Sequence, residues 1–201
     1  GVGLQFIENV MFLPQTPPYR LKLHSDGMIP GFNELAEAIK AWGARAGMQI
    51  NHPGLLHQSP DINGLQEEQI RALIEEFAMA ALRGKMAGFD LVEIHGAHAY
   101  LIAQFLSPRT NHRTDEWGGT MEKRARFALE VIRRTREKVG PEFPLSFRIS
   151  GDEFMEGGRT LAETEEIVPL LEAAGIDLLD LHLLQTLPRG EAGRPGAGSL
   201  E

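Results

Sequence analysis

The chain has 201 residues, a net charge of −8 and no cysteine. Its length suits one domain with a sizeable core, and its 42% hydrophobic and 24% charged residues are ordinary for a globular chain. The acidic balance excludes a general attraction to nucleic acid, and the missing cysteines exclude disulfides, thiolate-held iron–sulfur clusters and cysteine nucleophiles.

Residues 1–8 (GVGLQFIE) read as a short buried strand that opens without an initiator methionine, as a piece of a longer chain would. A Pro-rich connection follows. Leu35, Ala38, Ile39 and Trp42 recur at helical spacing and predict an amphipathic helix over 33–45. Residues 47–51 (GMQIN) read as a strand and 52–64 as a loop. The stripe of Ile70, Leu73, Ile74, Phe77 and Ala81 predicts a long helix over 65–87, ended by Gly88. A strand over 89–95, a short helix over 99–106 and a polar loop over 107–119 come next. A helix over 121–138 then leads to a strand over 144–150. Thr160 and Glu163 form a capping-box pattern that opens a helix to Ala174. A last strand covers 176–183. Residues 1–186 are thus one domain, and 187–201 read as a disordered Gly/Pro-rich tail.

Apolar strands alternating with amphipathic helices predict an α/β fold with a parallel sheet. Five strands fit either an open doubly wound sheet or part of a (β/α)8 barrel. His52, His95, His98 and Arg148 all fall at or near strand C-terminal ends, the functional face in both. No G-x-G-x-x-G or P-loop motif is present, which weakens the nucleotide-binding open sheet. No apolar run approaches the roughly 20 residues of a membrane helix. No leader is visible, and the expected location is the cytoplasm.

The strand at 90–94 (DLVEI) runs into His95, His98 and Tyr100. Two histidines three apart have three readings: a metal pair, a cradle for a substrate oxygen, or ordinary capped surface groups. Metal binding wants a third ligand, with His52 and Asp152 as candidates at no recognised spacing. The oxygen cradle gains from Tyr100, a phenol able to give a proton to a neighbouring carbon. Arg148 lies in an otherwise apolar strand (SFRIS), where an unpaired charge costs several kcal/mol. Gln49 alone reads as structural.

The run GFDLVEIHGAHAYLIAQFLSPRTNHRTDEWGGTMEKRARFALEVI, residues 88–132, resembles the old yellow enzyme family of FMN-dependent ene-reductases and 2,4-dienoyl-CoA reductases. The resemblance extends over about residues 1–183: GVGLQFIE is similar to that family's second barrel strand, MQINHPG to its third, FPLSFRIS to its fifth and AGIDLLDLH to its sixth. It implies a TIM barrel, here incomplete, with strands two to six. It also implies FMN at the barrel mouth, NADH or NADPH as reductant, and an enone-type small-molecule substrate. Gln49 and Arg148 are then cofactor-binding, His95 and His98 hold the substrate carbonyl, and Tyr100 is the proton donor. Asn111, Arg113, Asp115, Arg124 and Arg126 match a structural network that holds the loop after the family's fourth strand.

The chain departs from that family in several places. The first, seventh and eighth strands are missing, and the last two carry the family's phosphate grip. The connection after the third strand is short, Leu55 replaces an arginine, Ala99 replaces a glycine, and Trp117-Gly118-Gly119 stands where Tyr-Gly-Gly is usual. An open arc of five strands would expose two edges and part of an apolar interior. The expected partners are therefore a second copy or the remainder of the barrel. The competing readings are a flavin-free remnant of the family and a metal-dependent hydrolase built on His52, His95 and His98.

Overall fold

The computed structural model describes residues 1–15, 20–54 and 61–182. Five parallel strands form one sheet in the order β1-β2-β3-β4-β5, namely Leu4–Met11, Arg45–Asn51, Leu91–Gly96, Leu145–Ser150 and Leu178–His182. The helices are α1 (Ile29–Lys40), α2 (Glu67–Met86), α3 (Leu101–Leu106), α4 (Met121–Val139) and α5 (Leu161–Ala174). None among the described residues is long and apolar enough to cross a membrane. The tail at 187–201 lies outside the described residues.

Periodicity explains the layers. Along each strand, alternate residues face opposite sides. Met48, Ile50, Val92, Ile94, Leu145, Phe147 and Ile149 join the buried core under the helices. Ile70, Ile74 and Phe77 of α2 and Phe127, Val131 and Ile132 of α4 meet them from outside. The α5 cap is as the sequence predicts: Thr160 Oγ1 accepts from the Glu163 N–H, and the Thr160 N–H donates back to Glu163 Oε2 at 3.2 Å.

The other face carries Gln49, Asn51, Glu93, His95, Ser146, Arg148, Ser150 and Asp180. The uncovered side of the arc is mainly polar, and its apolar exposure is confined to the edge strands, at Leu4 and Leu178. The two edges are present as expected, since β1 and β5 lie at opposite ends of the sheet and most of their residues are exposed or half-buried. The sheet curls strongly enough to bring Glu8 of β1 within 3.6 Å of Arg148 of β4, although two strands lie between them.

One helix differs from expectation. α1 begins four residues early, because Pro30 in its first turn fits the helical φ and needs no N–H partner. It also ends early, at Lys40, with Gly43 beyond it at φ 81°. Trp42 consequently sits past the helix and is 91% exposed, while Phe32 and Ala36 supply the packed face.

Candidate active site

β3 ends in a tight turn. A Cβ at Gly96 would overlap the Phe147 ring and lie 2.9 Å from the Arg148 carbonyl oxygen, so the strand closes on its neighbour only with glycine. His98 and Ala99 then take φ values of 57° and 55° in succession. Left-handed non-glycine residues cost roughly 1–2 kcal/mol each. This kink swings Tyr100 back beside the strand end, where it caps α3. Gln104 Nε2 donates to the Ala99 carbonyl at 2.6 Å and the His98 N–H donates to Ser150 Oγ at 3.3 Å, which holds the kink in place.

The turn brings together the residues the sequence singled out. The His95 ring centroid lies 5.0 Å from that of His98 and 4.9 Å from that of Tyr100, both edge-on. His95 Nδ1 accepts the Ala97 N–H at 3.1 Å, which places the ring proton on Nε2. Burial, reinforced by the charges of His98, Arg148 and His182, lowers the His95 pKa to about 3. Burial, with His182 and Arg148, lowers that of His98 to about 4. Both rings are thus neutral at physiological pH and act through hydrogen bonds, not as cations.

Sequence reasoning missed His182. It ends β5 as His95 ends β3, and its Nδ1 stands 3.0 Å from His98 Nε2 with the rings 4.3 Å apart. The signal was available, since LLDLH repeats the strand-then-histidine pattern of LVEIH. His52 does not join the cluster through its ring nitrogen. Its Nδ1 accepts the Gly54 N–H at 3.1 Å, and burial lowers its pKa to about 4. No three His, Cys, Asp or Glu groups among the described residues converge as a metal site, so the three-histidine hydrolase has no ligand set there.

Below the histidines the sheet carries two polar rows. Gln49, Glu93 and Ser146 are paired across β2, β3 and β4. Gln49 Nε2 donates to Glu93 Oε1 at 2.8 Å, and Ser146 Oγ donates to Glu93 Oε2 at 2.9 Å. Burial pushes the Glu93 carboxyl up, against the pull of those two hydrogen bonds. The next row pairs His95, Arg148 and Asp180. Arg148 Nε lies 3.2 Å from an Asp180 oxygen yet lacks a well-directed hydrogen bond, and Nη1 lies 3.6 Å from Glu8. An open cleft of about 520 Å³ runs between these groups and Phe6, Leu178 and Leu179. Sequence reasoning also missed Glu8, Glu93, Ser146 and Asp180, whose partners come from other strands.

Gln49 and Arg148 suit the polar edge of a heteroaromatic ring. The Gln49 amide oxygen is free of the Glu93 bond, and Arg148 keeps a buried Nε–H that no acceptor takes squarely. The described elements stop at β5, before any strand expected to grip a phosphate.

The loop residues hold structure. Asn111 Nδ2 donates to the Phe105 and Trp117 carbonyls at 2.7 and 2.8 Å. Arg113 Nη1 donates to the Ile62 and Leu65 carbonyls at 2.6 and 2.9 Å, and its guanidinium pairs with Asp115 at 2.5 Å. Arg124 ties Leu106 and Gly119 to Glu163. Arg126 makes a surface pair with Glu116 at 3.1 Å.

Comparison with known proteins gives a consistent picture. The model of the NADH:flavin oxidoreductase / NADH oxidase family matches residues 56–200. An NADH oxidase of Thermoanaerobacter brockii is 45% identical over 89% of this chain and 31% of its own length. An NADPH dehydrogenase of Halalkalibacterium halodurans is 40% identical over 89% of this chain and 57% of its own. A solved 2-naphthoyl-CoA reductase in complex with 2-naphthoyl-CoA superposes with a TM-score of 0.77 at 32% identity, covering 83% of this chain and 30% of the other. The chain thus spans between 31% and 57% of the length of these curated relatives.

Proposed function

The chain belongs to the NADH:flavin oxidoreductase / NADH oxidase family, and from that premise we propose that it forms the substrate face of an FMN-dependent oxidoreductase. Its reaction is reduction of the C=C bond of an α,β-unsaturated carbonyl compound, with NADH or NADPH as reductant. The observation that carries this reading is the His95, His98 and Tyr100 cluster: three groups able to donate, at one strand end, with centroid spacings of 4.9 to 6.5 Å.

FMN, when bound, supplies the hydride that the substrate's β-carbon takes up. Gln49 and Arg148 would hold the polar edge of its ring, and Arg148 would favour negative charge there. His95 donates Nε2–H to the carbonyl oxygen. His98 keeps one ring nitrogen on His182 and offers the other. As the hydride adds, negative charge grows on that oxygen, where each preplaced donor lowers the barrier by a few kcal/mol. Tyr100 gives its proton to the α-carbon, which balances the hydride and completes the addition of two hydrogens across the bond. The solved relative bound to an aryl thioester supports a conjugated acyl group as the substrate class. The remainder of the barrel, from a longer protein or a second chain, would close the arc and grip the phosphate.

A flavin-free remnant is the second reading. It is favoured by Glu8 and Asp180, which already neutralise Arg148. One experiment separates the two. The purified protein is mixed with excess FMN and desalted, its visible spectrum is recorded, and NADPH oxidation is followed with 2-cyclohexenone. A retained flavin band and enone-dependent turnover support the oxidoreductase. A colourless protein without turnover means a remnant, or a piece that needs the remainder of the barrel, which a longer chain carrying it separates by the same assay. In the active protein, replacing His95 and His98 together by alanine should weaken phenol binding and lower kcat/KM by at least about a hundredfold. Unchanged phenol affinity would show that the histidines do not hold the oxygen.

A further inference from the structure

β1 carries an irregularity that bears on Tyr100. Its pairing with β2 slips between Ile7 and Val10, and Asn9, within the slip, has φ 58°. In a regular strand, successive side chains point to opposite faces. Here both Glu8 and Asn9 reach the same inner side. Glu8 meets Arg148 at 3.6 Å, while Asn9 meets Asn51 and Tyr100. The bulge re-aims one side chain that the strand alone would send outward.

Asn9 bridges two elements. Asn51, fully buried on β2, donates Nδ2–H to Asn9 Oδ1 at 2.8 Å. Asn9 Nδ2 in turn donates to Tyr100 Oη at 3.3 Å. The carbonyl end of the Asn9 amide is thus taken up by a rigid strand, and amide hydrogens are what the phenol meets. A phenol oxygen that accepts from Asn9 has its own O–H free to point elsewhere. The same donor faces the negative charge that grows on the oxygen as the proton leaves. We propose that Asn9 is a positioning residue for proton donation by Tyr100: it holds the phenol oxygen as an acceptor and so directs the O–H toward the substrate carbon. This inference rests on the reading of Tyr100 as the proton donor.

The test compares wild type, Asn9→Asp, Asn9→Gly, Tyr100→Phe and the Asn9→Asp, Tyr100→Phe double variant, all flavin-loaded. Asn9→Asp keeps the acceptor for Asn51 and tolerates the left-handed backbone. It presents a carboxylate to the phenol, which draws the O–H to itself. The expected result is a kcat about tenfold lower, with KM and calorimetric phenol binding unchanged, and no further loss once Tyr100→Phe is present. Asn9→Gly fits the backbone without strain but leaves the buried Asn51 Nδ2–H without its acceptor, so it should lower the melting temperature while losing about threefold in kcat. A readout without cofactor comes from ultraviolet resonance Raman, which distinguishes a donating from an accepting phenol. The only tyrosines are Tyr19 and Tyr100, so in a Tyr19→Phe background the signal is that of Tyr100. Asn9→Asp should move it from acceptor toward donor.

If Tyr100→Phe turns over like wild type, the reading of Tyr100 itself fails. If Tyr100→Phe is slow while Asn9→Asp is not, the inference about Asn9 is overturned. The same follows if the two losses multiply in the double variant, or if the Raman signal does not move. Were both amides turned over, the phenol would donate to Asn9, and Asn9→Asp would leave rate and spectrum unaltered, which also overturns it.

Discussion

Two turns leave the same end of the sheet and are built by different means. The turn after β3 holds two successive left-handed non-glycine residues and delivers His98 and Tyr100. The turn after β4 is fastened by buried polar groups. Arg159, 1% exposed, donates to the Ser150 carbonyl at 2.7 Å and to the Thr164 hydroxyl. Glu153, 6% exposed, accepts the Ser107 hydroxyl at 2.7 Å and the Arg159 N–H at 2.9 Å. The first turn stores strain and aims side chains that belong to the proposed chemistry. The second has a single left-handed non-glycine residue, Phe154 at φ 50°, leaves Arg159 Nε without a hydrogen bond, and delivers none of them. What sets the first turn apart is two left-handed non-glycine residues in succession against one in the second, in keeping with strain persisting where the surroundings over-determine it.

The largest effect should come from unfastening the second turn. Glu153→Ala removes the acceptor of Ser107 and of the Arg159 N–H. It also removes a counter-charge from a guanidinium that cannot shed its proton. Leaving the Ser107 hydroxyl and the Arg159 N–H without their acceptor costs about 1–3 kcal/mol each. Denaturant unfolding should show that loss. A change below about 1 kcal/mol would mean that the turn is held by something else.

Acid loads the first turn next. His95 lies at its start, and the His52 carbonyl accepts the Leu101 N–H beside it at 3.1 Å. Burial lowers the His52 pKa to about 4 and the His95 pKa to about 3. The unfolded chain therefore takes up protons first, near the ordinary value of about 6.5, and stability falls as pH drops below that point. It keeps falling until the folded-state values are reached. At about 1.4 kcal/mol per pH unit, each of these two residues removes roughly 2 kcal/mol by pH 5. Asp90 and Asp115, whose pKa values are also lowered, add their loss only in more acidic solution. Unfolding curves at pH 8, 6.5 and 5 check this. A flat profile would mean that the two rings are solvated.

These features were legible in the sequence to different degrees. The stripe of α2 and the Thr160–Glu163 box are local, because helix period and capping chemistry sit within a few residues. His95, His98 and Tyr100 were also legible, since one strand and one turn place all three. Asn9, Glu93 and His182 were not, because their meaning comes from partners 44 to 91 positions away. Register and a bulge fix those contacts, and neither shows in composition or spacing. Trp42 misled for a related reason: the apolar pattern continued past a helix that Pro30 had started early and Gly43 stopped.

The smallest effect should be a gain, and it tests the comparison most directly. Ala99 has φ 55°, a conformation in which its Cβ crowds the backbone at a cost of about 1–2 kcal/mol. Glycine takes that conformation freely but also gives the unfolded chain more freedom, which returns about 0.5–1 kcal/mol. The Ala99 carbonyl bond from Gln104 involves only backbone atoms of residue 99 and survives the change. Ala99→Gly should therefore stabilise the protein by up to about 1 kcal/mol. Phenol binding should stay as in wild type, because His98 keeps its own backbone and its contact with His182. If stability falls instead, the kink is not strained at Ala99 and the contrast between the turns fails. If stability rises while phenol binding weakens, the strain at Ala99 is itself part of how His98 is aimed.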